Sequence, residues 1–334
     1  MGAAAMTNVE RFQAALAGEP VDRLPRVEWA PWWQETLDRW YTEGLPPGMP
    51  RDEVATYLGL DDMAQVRVDP VGPGCPAPAY HGAPRMSGTD YDAIRPFLYP
   101  SVEPLIERMA PRFEAHERGE LVLWLTVDGF FWYPRRLFGI QGHFYAFFDH
   151  PELMHRMNRD LAEHSIAAIR RIGELITPEF VTFAEDMSYN HGPMLSEAMF
   201  DEFIAPYYRQ VIPAIEEIGS MLIVDSDGDV TAMVPWLERV GAQGVLPLER
   251  QAGVDGITIR ERHPDFVMLG HYDKMVMNRG EAAIRREFER LLPLVRTGRF
   301  IPSVDHQTPP GVSFEQYHVY LRLLDEYARV GAGA

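Results

Sequence analysis

Thiol chemistry is almost missing from this chain. One residue in 334 is cysteine, Cys75, which excludes an internal disulfide framework and any zinc site built on several thiolates. Its setting, Gly-Pro-Gly-Cys-Pro, reads as a loop and not as the surroundings of a nucleophile. No apolar run reaches the roughly 18 residues of a membrane-spanning helix, and the start lacks a basic region followed by an apolar stretch. The expected location is therefore the cytoplasm, with no membrane contact. Positive charge is scarce: 31 Lys and Arg face 49 Asp and Glu, a net −18. A field of that sign repels polyanions, which argues against nucleic acid as a partner. Small polyanions would need a local arginine cluster to overcome it.

What the chain does have is acid at the ends of short apolar runs. Met221-Leu-Ile-Val-Asp-Ser-Asp-Gly-Asp229 reads as a buried strand, with Asp225 and Asp227 at its carboxyl end and Gly228 punctuating the turn. Similar runs fall at 26–29, 63–69, 121–127, 180–184, 244–248, 266–269 and 300–304. Between them lie stretches with helical spacing, clearest from Pro151 to Ile176. Eight strands alternating with helices predict a parallel (β/α)8 TIM barrel, one domain over 1–334. A short N-terminal helical extension opens on a capping box, Thr7 to Glu10, and the last helix opens on another, Ser313 to Gln316. The Pro-, Gly- and Tyr-rich stretch 70–100 predicts an excursion or lid.

Parallel strands of a barrel bring their carboxyl ends to one face. The mouth is thus expected to gather Asp69, Asp128, Glu185, Asp186, Asp225, Asp227, Glu249, His271, Asp273, Asp305 and His306. Crowded carboxylates raise one another's pKa unless a cation or hydrogen-bond donors intervene. Such clusters suit proton transfer, or a divalent metal held by oxygen and imidazole. Each acid alone could equally cap a helix or pair with an arginine. Clustering singles out Asp225, Asp227 and His306 as candidate catalytic residues and metal ligands. Glu185, Asp186, Glu249 and His271 are candidate substrate contacts, His271 equally a structural histidine. Phe130, Trp132 and Tyr133, directly after a strand, could wall an apolar pocket or simply pack in the core. The adjacent pair Arg135 and Arg136 is the candidate anion contact.

Several segments, taken in order, resemble the uroporphyrinogen decarboxylase superfamily, a barrel family. They are Arg11-Phe…Leu16…Gly18-Glu-Pro-Val-Asp-Arg-Leu-Pro25, Asp186…Gly192-Pro-Met194-Leu-Ser196, Asp225-Ser-Asp-Gly228, Leu248-Glu249…Gly253-Val-Asp255 and Gly270-His-Tyr-Asp273. The superfamily holds decarboxylases and methyltransferases that work with corrinoid proteins. Against the decarboxylase pattern, Asp69 stands where an early Asp holds pyrrole NH groups and His306 where a late His lies. Trp29-Ala-Pro-Trp-Trp33 replaces the family's two-arginine segment. Against the methyltransferase pattern, Asp225-x-Asp227 replaces the His-x-Cys zinc ligands, so the soft site that activates a thiol is gone. The resemblance implies an enzyme acting on a small molecule by methyl transfer or demethylation, with the corrinoid carried only by a partner protein. Cofactor-free decarboxylation, with Asp69 catalytic and His306 binding a carboxylate, is the alternative. A non-catalytic binding subunit is the third reading, and a homodimer is left open.

Overall fold

The computed structural model describes residues 5–30 and 32–332, so Pro31, the first four residues and the last two lie outside it. The strands are β1 (Met63–Val68), β2 (Val122–Asp128), β3 (Phe180–Ala184), β4 (Ser188–Tyr189), β5 (Gly192–Pro193), β6 (Leu222–Asp225), β7 (Gly244–Leu246), β8 (Val267–Tyr272) and β9 (Phe300–Val304). Seven of them make one parallel sheet in the order β1-β2-β3-β6-β7-β8-β9, and β4 and β5 form a small antiparallel hairpin. Every step within the large sheet is a parallel crossover, with helices packed outside. This curled sheet is the barrel that the alternation predicts.

The eighth stave differs from expectation. Segment 26–29 makes no strand ladder. Side chains fasten it instead. Val304 N–H and Ser303 Oγ donate to Glu28 at 3.3 and 3.0 Å, Tyr317 donates at 3.1 Å, and Trp29 Nε1 donates to the Val304 carbonyl at 2.9 Å. On the other side, Asp61 N–H donates to the Arg26 carbonyl and Arg26 N–H to the Asp61 carboxylate. The seam between β1 and β9 is therefore bridged by these hydrogen bonds, without a strand ladder.

The inward rows follow from the period of two along each strand. Gln65, Trp124 and Phe180 lie in one row, Arg67, Thr126, Thr182 and Ile223 in the next. Asp128, Ala184, Asp225 and Leu246 make the row at the mouth. The lower rows join helix Asn8–Ala17 in a closed apolar cluster that includes Phe12, Leu16, Val27, Ile223 and Ile301. Phe12 stacks on Phe180, which stacks on Trp124. The capping box at Thr7 and Glu10 forms, and Gly18, at φ 74°, ends the helix. That helix stops the barrel at its amino end.

Stretch 70–100 is an excursion with one short α-helix, Tyr91–Ile94, continued by a 3-10 turn, Arg95–Phe97. It docks against helix Trp132–Asp149 at a kink where Gly139 has φ 74°. Ile140 N–H donates to the Gly82 carbonyl, and Arg85 and Met86 N–H both donate to that of Leu137. No described helix is long and apolar enough to cross a membrane.

Candidate active site

A cavity of about 710 Å³ runs from the mouth into the barrel. Asp225 and His306 line it at the carboxyl end, Gln65, Trp124, Phe180, Thr182 and Leu246 along the lumen, and Glu28 and Trp29 at the seam. It also opens sideways between β1 and segment 26–29, where Arg51, Asp52, Asp62 and Arg112 form its flank. Arg112 donates to Asp52 there at 3.0 Å. This side opening exists because no ladder closes the seam.

Asp225 is the central group. It ends β6 between Ala184 and Leu246, and no hydrogen bond from the described residues reaches its carboxyl oxygens. Burial pushes its carboxyl well up, and Asp186 and Asp227 add to that, against a weaker pull from Arg67. Asp227 is pushed up to about 7 by burial and by the charges of Asp186 and Glu249, against Lys274. Its Oδ2 lies 3.7 Å from His306 Nε2. Burial and Lys274 push the His306 imidazole down, while Glu249 and Asp186 oppose them. Burial and acidic neighbours thus favour the protonated form of Asp225, Asp227 titrates at about 7, and the neutral form of His306 is favoured. Trp29 meets His306 edge-on at 5.8 Å.

Asp186 is raised by burial and by Glu249, with Asp227 N–H, Arg135 and His306 opposing. Glu249 accepts from Gly228 N–H at 3.0 Å and lies 3.5 Å from Lys274 Nζ, which also reaches Asp305 at 3.2 Å. Asp227, Glu249, Lys274 and His306 line a second cavity of about 530 Å³ just outside the first, with Trp33 and Pro310. Asp225, Asp227 and His306 thus meet at one end of the barrel, with Asp186 and Glu249 beside them.

The other expected residues lie elsewhere. Asp69 is held by Arg136, which also donates to the buried Asp128. Burial would raise Asp69, but the Arg136 hydrogen bonds and charge bring it below its ordinary value. It stays ionised and does not line the large cavity. Glu185 is fully buried and accepts the N–H groups of Phe130, Phe131 and Trp132, at 2.9, 2.7 and 3.3 Å. It serves the start of helix Trp132–Asp149 and lines neither of these cavities. Phe130 and Tyr133 line neither cavity, because that helix start turns them into the core. Phe130 packs on Phe183 and Tyr207, and Tyr133 donates to Tyr99 at 2.8 Å. Trp132 faces a separate recess beneath Arg135.

His271 is buried and structural. Its Nδ1–H donates to the Leu248 carbonyl at 2.9 Å, and its Nε2 accepts from Gly256 N–H at 3.0 Å. Burial and Arg290 push the imidazole down to about 3. Asp273 caps the turn after β8 through Met275 N–H.

The proposed metal ligands do not assemble. Among the described residues no three His, Cys, Asp or Glu side chains are gathered as a metal would need. Lys274 already supplies a cation to Glu249 and Asp305, Asp225 faces the lumen, and no thiolate is present to hold zinc as the family's His-x-Cys does. The donor set does not fit that metal.

One residue escaped the sequence reading. Glu28 faces the cavity, accepts three hydrogen bonds, and is pushed up to about 7 by burial despite them. A lone Glu inside the apolar run Arg-Val-Glu-Trp was the available signal.

The comparisons with known proteins bear separately on family, through a family model, and on fold, through solved structures. The family model described as Uroporphyrinogen decarboxylase (URO-D) matches residues 139–327. No curated protein sequence matches the chain. A methyltransferase from Methanosarcina mazei is 16% identical, with 96% of this chain and 99% of that one covered and a TM-score of 0.66. A chain described as a vitamin-B12 independent methionine synthase from Listeria monocytogenes is 13% identical, over 92% and 97%, with a TM-score of 0.49. A GH10 endo-β-1,4-xylanase from Gloeophyllum trabeum is 12% identical, over 95% and 99%, with a TM-score of 0.44. At such identities the likeness concerns the barrel alone.

Proposed function

The chain belongs to the uroporphyrinogen decarboxylase family, and from that premise we propose that it is an enzyme that removes a methyl group from a small molecule held in the barrel cavity. The single observation that carries this reading is Asp225: a carboxyl group facing the lumen, without a hydrogen-bond partner among the described residues, whose burial and acidic neighbours favour the protonated form. A neutral carboxylic acid in an apolar cavity can donate a proton and cannot serve as a counter-ion. Breaking a methyl–oxygen or methyl–nitrogen bond leaves charge on the heteroatom, and a proton from Asp225 neutralises it. The substrate gains a proton where it loses the methyl group, and the acceptor gains the methyl. His306, which lines both this cavity and the one outside it, and Asp227 in the outer one are suited to return the proton from solvent. Trp124 and Phe180 give the substrate an apolar floor, and Thr182 and Gln65 supply hydrogen-bonding groups.

A reduced corrinoid carried by a partner protein would supply the methyl acceptor. The M. mazei protein, a methyltransferase by its name, shares this barrel, which accords with that assignment. The decarboxylase reading finds less support, since Asp69 is ionised against Arg136 and lies off the cavity. Arg51 and Arg112 are the arginines that line the cavity, and Arg112 is already engaged by Asp52, which leaves little there to hold a polycarboxylate.

The test is anaerobic incubation of the purified protein with free cob(I)alamin and a panel of methyl ethers and methylamines, followed by absorbance. Formation of methylcobalamin, reduced about 10²–10⁴-fold by Asp225→Asn, is expected. No methyl transfer from any panel member, together with release of CO2 from aryl carboxylic acids, would move the assignment to the decarboxylases.

A further inference from the structure

We propose that the recess between the 70–100 excursion and the kinked helix Trp132–Asp149 is a binding site for the carboxylate or phosphate of a small molecule. The recess holds about 170 Å³, and Arg85, Arg135, Arg136 and His81 line it with Trp132 and Ile140. No acidic residue lines it. That is unexpected by chance in a chain with 49 acids against 31 bases.

The state of the arginines sharpens the point. Arg136 is engaged by Asp69 and Asp128. Arg85 and Arg135 have no carboxylate partner among the described residues: Arg85 donates only to the Pro76 carbonyl at 3.0 Å, and Arg135 lies over the Trp132 ring at 4.9 Å. Two guanidinium groups that make no ion pair, facing one recess, have planar forks free for an oxyanion. Their positions are fixed by backbone contacts and do not depend on a free loop. The excursion is pinned to the helix by the Ile140-to-Gly82 and Arg85-to-Leu137 hydrogen bonds. The fit there is tight, since a Cβ on Gly139 would lie 2.7 Å from Pro84 N and one on Gly82 2.7 Å from Ile140 Cδ1. A preformed site loses little freedom on binding.

The recess adjoins the mouth. Arg136 ties it to the ends of β1 and β2, and the charge of Arg135 is felt at Asp186. A local cluster of this kind overrides the repulsive field of the chain at short range. That the bound anion is the far end of the methyl donor rests on the function proposed above; the site itself rests only on this geometry.

Isothermal titration of the full chain with benzoate, inorganic phosphate and uncharged benzamide tests it. Benzoate or phosphate should bind, benzamide should not, and affinity should fall as salt is raised. The Arg85→Gln/Arg135→Gln variant should bind the anion at least tenfold more weakly, whereas Asp225→Asn should bind it as the parent does. Preference between benzoate and phosphate identifies which oxyanion the site takes. Absence of binding by both anions at millimolar concentration, or salt-independent binding by the unaltered protein, overturns the proposal. So does equal affinity in the folded double variant. Anion binding without methyl transfer would leave this site standing and remove only the reading of the catalytic centre.

Discussion

Replacing Glu28 by Gln should change how stability depends on pH, and the size of the change follows from the seam. Glu28 accepts from Val304 N–H, Ser303 and Tyr317, and burial raises its carboxyl from 4.5 to about 7. The folded protein therefore binds this proton more tightly than the unfolded chain does. Below about pH 4.5 both states are protonated and the residue carries no penalty. Between 4.5 and about 7 stability falls as pH rises, and above 7 the full penalty is present. At 1.36 kcal/mol per pK unit the interval corresponds to roughly 3 kcal/mol, an upper figure because cavity water screens part of it. Gln keeps one acceptor but sets an NH2 group against donors, an offset of about 1–3 kcal/mol that does not vary with pH. Urea unfolding of both proteins at several values between pH 4.5 and 8 separates the two effects. The difference in unfolding free energy should shift in favour of the variant by about 2–3 kcal/mol across that range. Contributions from Glu185 and Asp227 cancel in the difference. Parallel curves would show that Glu28 is not held neutral at the seam and would refute the reasoning.

Three further outcomes follow from the geometry. Glu185→Ala leaves three N–H groups at the start of helix Trp132–Asp149 without their acceptor, and should cost about 2–5 kcal/mol by urea unfolding. Arg136→Ala strips Asp69 of its partner and leaves the buried Asp128 only Arg67, a loss of about 3 kcal/mol that calorimetry will show as a lower Tm. Gly228→Ala puts a Cβ 2.6 Å from the Tyr189 backbone at φ 83°, so it should destabilise by more than about 1 kcal/mol and loosen the Asp225–Asp227 turn.

The barrel was legible because its signals are local and repeated. Short apolar runs ending in acids mark seven staves, and both capping boxes form where the sequence places them. The eighth stave was misread because Arg26–Trp29 has strand-like composition while its bonds come from residues nearly 300 positions away, such as Ser303 and Val304. The convergence of Asp225, Asp227 and His306 followed from parallel strands sharing one face. What each acid does there was not legible. Glu185 and Asp186 are neighbours in sequence, yet one turns inward to cap a helix and the other, at φ 45°, faces the mouth. That choice depends on backbone rotation, which composition does not encode. The motif residues shared with the family are largely structural: Arg11 pairs with Asp22, Arg23 with Asp61, and Gly270 passes where a Cβ would lie 2.4 Å from the Pro247 carbonyl oxygen. They identify the fold, and for that reason they leave the reaction open.

The central claim is that Asp225 is a neutral acid facing the cavity, and its protonation state can be measured directly. Carbon-13 NMR of aspartate-labelled protein, with the Asp225 carboxyl resonance assigned by comparison with Asp225→Asn, follows its titration. The account predicts a resonance still at the protonated position at about pH 5, where an ordinary aspartate is ionised, in line with the burial and acidic neighbours that raise it. A resonance already at the ionised position by about pH 5, as for an ordinary aspartate, would contradict it.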